Sequence, residues 1–113
     1  MKINSIELED LDIFDVNISE KYENVLNRID KSEKDLEGLK PSEVIRYQCE
    51  MIFNVFNELF GEGTDKKIFG DEVNLRVCLS AFAELVEQLN SQKSEIDKLA
   101  AKYSPNRVQR RKK

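Results

Sequence analysis

A chain of 113 residues fits one domain with one modest core, and its 35% charged side chains stand well above the ~25% of a typical soluble domain, which favours extensive exposed helix surface. The formal net charge of −4 is unevenly spread: residues 104–113 hold five basic and no acidic side chains, leaving 13 basic and 22 acidic ones for the other 103 residues. Such an acidic body repels phosphates, which disfavours nucleic acid as a partner, and the lack of any histidine removes the ordinary imidazole base for a Ser or Cys nucleophile.

No apolar run approaches the roughly 20 residues of a membrane span, so no membrane partner is expected. The first 16 residues contain one Lys and five acids, the reverse of a secretory signal's basic start. Cys49 and Cys78 form no CxxC pair, and each sits inside a helical pattern, as a small apolar residue does. These features predict a soluble protein of a reducing compartment, with no metal and no cofactor.

Residues 1–14, MKINSIELEDLDIF, alternate in part, with Ile6, Leu8 and Leu11 separated by acids. A lone strand there would lack a partner, so the reading is an extended arm lying on the body or on another molecule. From Asp15 the period changes to three and four: Ile18, Tyr22, Val25, Leu26, Ile29 and Leu36 predict a helix over 16–37, started by Asp15 or Ser19 and ended at Gly38. The pattern thins at Ser32 and Glu33, so the last turns are expected to fray. Ser42 and Glu43 then open a second helix over 42–60, the most buried one, with Ile45, Cys49, Ile52, Phe53, Phe56, Leu59 and Phe60 on a broad face.

The stretch LFGEGTDKKIFGDEVNL, residues 59–75, holds three of the four glycines. A phosphate loop would need a Lys followed by Ser or Thr at a fixed distance after a glycine, which is missing. A calcium loop would need oxygen ligands where Lys67 and Phe69 stand. Gly61 and Gly70 read instead as helix C-caps around a short turn, TDKKIF, with Ile68 and Phe69 plugging it onto the core. A final helix is predicted from about Asp71 to 102, on Leu75, Cys78, Leu79, Phe82, Leu85, Val86, Leu89, Ile96, Leu99 and Tyr103. Its stripe lapses at Gln92 and Lys93, and its length of about 45 Å exceeds what so small a body covers, so the half after Leu89 projects or packs on another subunit.

The expected fold is therefore all-α: a small helical bundle of three main helices plus one short helix, with a long C-terminal helix and an extended N-terminal arm. It divides into the arm (1–14), the helical domain (15–103) and a basic C-terminal tail (104–113). The tail is either a solvated terminus or a basic handle for an acidic partner, a copy of its own body, or RNA. The acid clusters, such as Glu7, Glu9, Asp10 and Asp12, read as solvated surface, and catalysis is not expected.

The block NVFNELFGEGTDKKIFGDEVNLRVCLSAFAELVEQL, followed by the terminal NRVQRRKK, resembles the small tail assembly chaperones of long-tailed (siphovirus-type) phages and prophages of Gram-positive bacteria. The similarity spans about residues 15–113 and is most specific around Phe60 to Phe82. It implies an all-helical, non-enzymatic protein of the bacterial host cytoplasm, not retained in the mature virion. Such a protein coats the tape-measure protein and helps recruit tail tube subunits; the acidic body and basic tail of this chain in turn permit head-to-tail pairing into a homo-oligomeric ring or spiral. A frameshifted longer form is also implied. The partner-binding residues read for this chain are Arg107, Arg110, Arg111, Lys112 and Lys113 of the tail, with Ile96, Leu99 and Tyr103 of the last helix. The competing expectation is a helical protein-binding adaptor or regulator unrelated to tails.

Overall fold

The computed structural model describes residues 1–103. Among them the chain forms two minute strands, β1 (Lys2–Ile3) and β2 (Ile6–Glu7), and four α-helices: α1 (Val16–Lys31), α2 (Pro41–Phe60), α3 (Thr64–Phe69) and α4 (Leu75–Tyr103). The protein is thus a small, mostly helical bundle whose last helix is its longest.

The helix ends follow from local chemistry. Asp15 caps α1: its carboxylate accepts the amides of Asn17 at 2.8 Å and Ile18 at 3.4 Å, two donors that the first turn cannot satisfy itself. The expected run to residue 37 stops at Lys31 and tightens into a 3-10 turn over Ser32–Leu36, where only Leu36 offers an apolar anchor. Pro41 occupies the first position of α2, where its missing amide costs nothing, and Glu43 reaches back to the amide of Lys40 at 2.9 Å. Gly61 (φ +118°) and Gly70 (φ +62°) end α2 and α3, each in a conformation that side-chain-bearing residues avoid. Helix α4 starts later than the expected Asp71, because Asn74 is the cap: its side chain accepts from Arg76 at 2.9 Å and Val77 at 3.3 Å.

Helix α2 is the centre. It packs on α1, α3 and α4, and its Cys49, Ile52, Val55, Phe56 and Leu59 are buried. Val25 enters from α1, and Cys78, Ala81, Leu85 and Leu89 enter from α4. Phe69 of α3 closes the far end, its ring 5.1 Å from Phe53 and 5.8 Å from Phe56. Thr64 is the one buried polar residue among the described ones, and its hydroxyl donates to the carbonyl of Gly61 at 2.6 Å. Leu26 and Leu79, which the periodicity assigns to the buried stripes, are instead exposed.

The N-terminal segment corrects the sequence reading in one respect. It does lie on the body, but its tip is a hairpin, with Lys2 opposite Glu7 and Ile3 opposite Ile6. The partner strand lies within the segment itself, across a two-residue turn at Asn4 and Ser5, both with positive φ (51° and 65°). Ile3, Leu8, Leu11 and Ile13 join the core. Three polar residues of α4 at successive turns hold the backbone of this segment. Glu84 accepts from the amide of Asn4 at 3.2 Å, and the Gln88 amide donates to the carbonyl of Lys2 at 2.9 Å. Gln92 does both, accepting from Ile13 at 2.9 Å and donating to Leu11 at 2.8 Å. The lapse of the apolar stripe at Gln92 is therefore the docking point of the arm.

Two consequences are open to measurement. Ser5 occupies a left-handed position of the hairpin turn where glycine is preferred, so Ser5→Gly should raise stability by about 0.5–1 kcal/mol, seen as a higher urea midpoint; an unchanged or lower midpoint contradicts the assigned turn. Cys78 packs against Cys49 inside the core, and burial, reinforced by the hydrogen bond to Cys49, pushes its thiol from the ordinary 9.0 up to about 12. A group whose folded value is raised stabilises fully below its unfolded value, so this contribution holds below pH 9.0 and is lost as the pH climbs towards 12. Unfolding free energy should fall across that window, and Cys78→Ala should flatten the decline. An equal slope in the variant would assign it to other groups.

Candidate functional site

Among the described residues no group of three or more Cys, Asp or Glu side chains converges as a metal site would. The two thiols are buried, and the Cys78 thiol stays protonated through the neutral range. The surface features with the chemistry to recognise something are apolar.

The first is a groove of about 160 Å³ over α2, between the end of α1 and the start of α4. Ile29 and Leu36 form one wall, Met51 and Ile52 the floor, and Leu79 and Phe82 the other wall, with Ser32, Glu33 and Gln48 at the rim. It exists because α1 and α4 both pack on α2 but leave its outer face between them, and because the tightened turn at Ser32–Leu36 draws the chain aside. Leu79 stands at this wall with half of its surface in water. Nearby depressions are larger, at about 350 and 360 Å³, but their side chains are mostly charged or polar, with Arg28, Asp35, Arg46, Tyr47 and Glu50 among them, and each has one apolar side chain, Met51 or Leu39. Around them, Arg28 pairs with Glu58 at 2.9 Å and the Tyr47 hydroxyl donates to Asp35 at 2.8 Å, contacts that tie α1 and the 3-10 turn to α2.

The second feature is the far half of α4. Among the residues whose burial is described, Leu89 is its last buried one, and 14 more residues follow, about 21 Å of helix. Ile96 and Leu99 are 39% and 48% exposed, large for aliphatic side chains three residues apart on one face. Phe14, at the end of the arm, and Val16, the first residue of α1, are also exposed. The basic tail residues Arg107, Arg110, Arg111, Lys112 and Lys113 lie outside the described residues, and Tyr103 closes α4. The structure thus brings Ile96 and Leu99 together as one exposed stripe. It also adds the groove, of which only the breadth of the α2 face was visible from periodicity; Leu79 and Leu36 belong to it because tertiary packing leaves them uncovered.

No curated protein and no solved structure matches the chain. Residues 4–113 match a family of unknown function, DUF6673, and the chain belongs to that family.

Proposed function

We propose that this chain is a tail assembly chaperone: it binds the tape-measure protein through apolar contacts, presents it for tail tube subunits to assemble around, and carries out no catalysis. The observation that carries the reading is the block from Phe60 to Phe82, the part of the chain most like the tail chaperones. In this fold that block is the hinge of the molecule: it caps α2 at Gly61, inserts α3 with Ile68 and Phe69, and launches α4. The groove supports the same reading. A long helical client exposes apolar side chains at three- and four-residue spacing before assembly, and a groove with an aliphatic and Met floor accepts such a face. The bacterial host cytoplasm is the compartment this role requires, and no helix among the described residues is long and apolar enough to cross a membrane.

A tagged copy expressed during tail assembly should retain a very long helical protein together with tube subunits. Leu79→Glu should abolish that retention while leaving the fold intact, since Leu79 is already half in water. Recovery of unrelated host proteins alone would replace this reading with that of a helical adaptor. An acidic body and a basic tail also permit head-to-tail association into a ring or spiral. Deletion of residues 104–113 should therefore weaken self-association more at low salt than at high salt. Assembly unchanged in both conditions would remove the tail from the mechanism.

A further inference from the structure

The body holds its N-terminal segment the way a protein holds a bound peptide. The hydrogen bonds that Glu84, Gln88 and Gln92 make to it all go to backbone atoms: the amide of Asn4, the carbonyl of Lys2, and both the amide of Ile13 and the carbonyl of Leu11. The three side chains are spaced four residues apart, one turn above another on a single face of α4. The Asn4 side chain adds a bond to the carbonyl of Ile68 at 3.1 Å. The other attachment is apolar, through Ile3, Leu8, Leu11 and Ile13, with Met1 and Ile6 beside them.

The segment is also closed on itself. The Met1 amino group donates to the carbonyl of Leu8 at 3.0 Å, and the amide of Leu8 returns a bond to the carbonyl of Met1 at 2.8 Å. The same amino group pairs with Glu7 and Asp10, and the β1–β2 hairpin lies inside this clasp. At the other end the amide of Phe14 donates to the Asp12 carboxylate at 3.0 Å, and the amide of Asp15 to the Asp12 carbonyl at 3.0 Å. None of these bonds involves the helices, so none is lost when the segment comes away from them. Electrostatics favours its coming away. Residues 1–13 carry one Lys and four acids, and residues 14–103 carry 12 basic and 18 acidic side chains, so two bodies of like net charge are held together by burial and the backbone ladder.

We infer that residues 1–13 are a strap that leaves and rejoins the body as one unit, turning about Phe14 and Asp15, while the four helices stay folded. A segment that keeps its own contacts and meets its neighbours along one side opens cooperatively at a lower free energy than the whole fold. Phe14 and Asp15 are both exposed, so rotation there breaks no packing. Opening uncovers apolar surface and leaves Glu84, Gln88 and Gln92 without their backbone partners, which makes the closed state the major one and the strap a lid that reseats itself. The inference stands apart from the tail-chaperone reading.

Amide hydrogen exchange on the full chain, read residue by residue by NMR, tests it. The amides of Asn4 and Ile13 are bonded to α4 side chains and report the strap, whereas the amide of Phe56, in the interior of α2, reports global unfolding. Asn4 and Ile13 should show matching protection, at least about tenfold below that of Phe56. Gln88→Ala, which removes a bond to Lys2, should lower protection at both by roughly fivefold, although Gln88 touches neither amide. Gln92→Ala should do the same at Asn4. Both glutamines are only half-buried, so the variants keep the core, which an unchanged circular dichroism spectrum checks. Protection at Asn4 and Ile13 equal to that at Phe56 overturns the strap, because the segment then opens only with the whole fold. Gln88→Ala without effect at Ile13 overturns the single unit, because the two ends then fray separately.

Discussion

The structure depends on one demand: α2 must be covered on several sides at once. Its buried residues, Cys49, Ile52, Val55, Phe56 and Leu59, spread over more than a single stripe, and Phe53 and Phe60 widen the face further. One neighbouring helix cannot shield so broad a surface. Helix α1 takes one flank and α4 the other, and α3 folds back over the end, where Phe69 meets Phe53 and Phe56. The glycine-rich corner exists to make that folding back possible. Gly61, Gly63 and Gly70 all hold positive φ, and none has a neighbouring atom near enough to exclude a side chain. Their requirement is conformational, which is why three glycines sit where a six-residue helix must be entered and left abruptly. A loop that resembles a phosphate cradle in composition is here the device that turns the chain twice.

The same demand produces the binding surfaces. With a 20-residue helix at the centre and only α1 and α4 to flank it, the outer strip of α2 between them stays open, and the groove is what remains. The N-terminal segment covers the other opening. Its four apolar residues complete the core, while Glu84, Gln88 and Gln92 supply hydrogen-bond partners for a backbone that has little secondary structure of its own. Hydrogen bonds of this kind contribute about 1 kcal/mol each, so the arm is held by burial and positioned by the polar ladder.

Much of this was legible in the sequence. The four helices, the Asp15 cap and the two glycine C-caps follow from spacing and local chemistry, which act within a turn or two of chain. The elements that escaped were those set by tertiary context. A strand two residues long leaves no alternation to detect, and Asn4-Ser5 lacks the glycine that usually marks a hairpin turn. Gln92 looked like a break in the stripe because its function is to meet the backbone of a segment about 80 residues away. Asn74 displaced Asp71 as the start of α4 since Leu75 is the first residue with a core to face. Exposure of Leu79 and Leu26 was equally hidden, because periodicity names a face and cannot say whether anything covers it.

That last distinction bears on α4 itself. A helix extends past its own body at a cost: the added turns gain no burial, and 14 residues of isolated helix are marginal in water. Solvated overhangs are ordinarily polar all round, supported by charge pairs along the helix. This one keeps Ile96 and Leu99 on the line of the buried seam, where polar residues would be the better choice for a helix meant to stand alone. Burying them against any surface would add the stabilisation that the overhang lacks by itself. The groove is the converse case: a short strip of α2 that packing leaves open, lined partly by Met51, whose side chain adapts to the shape it meets.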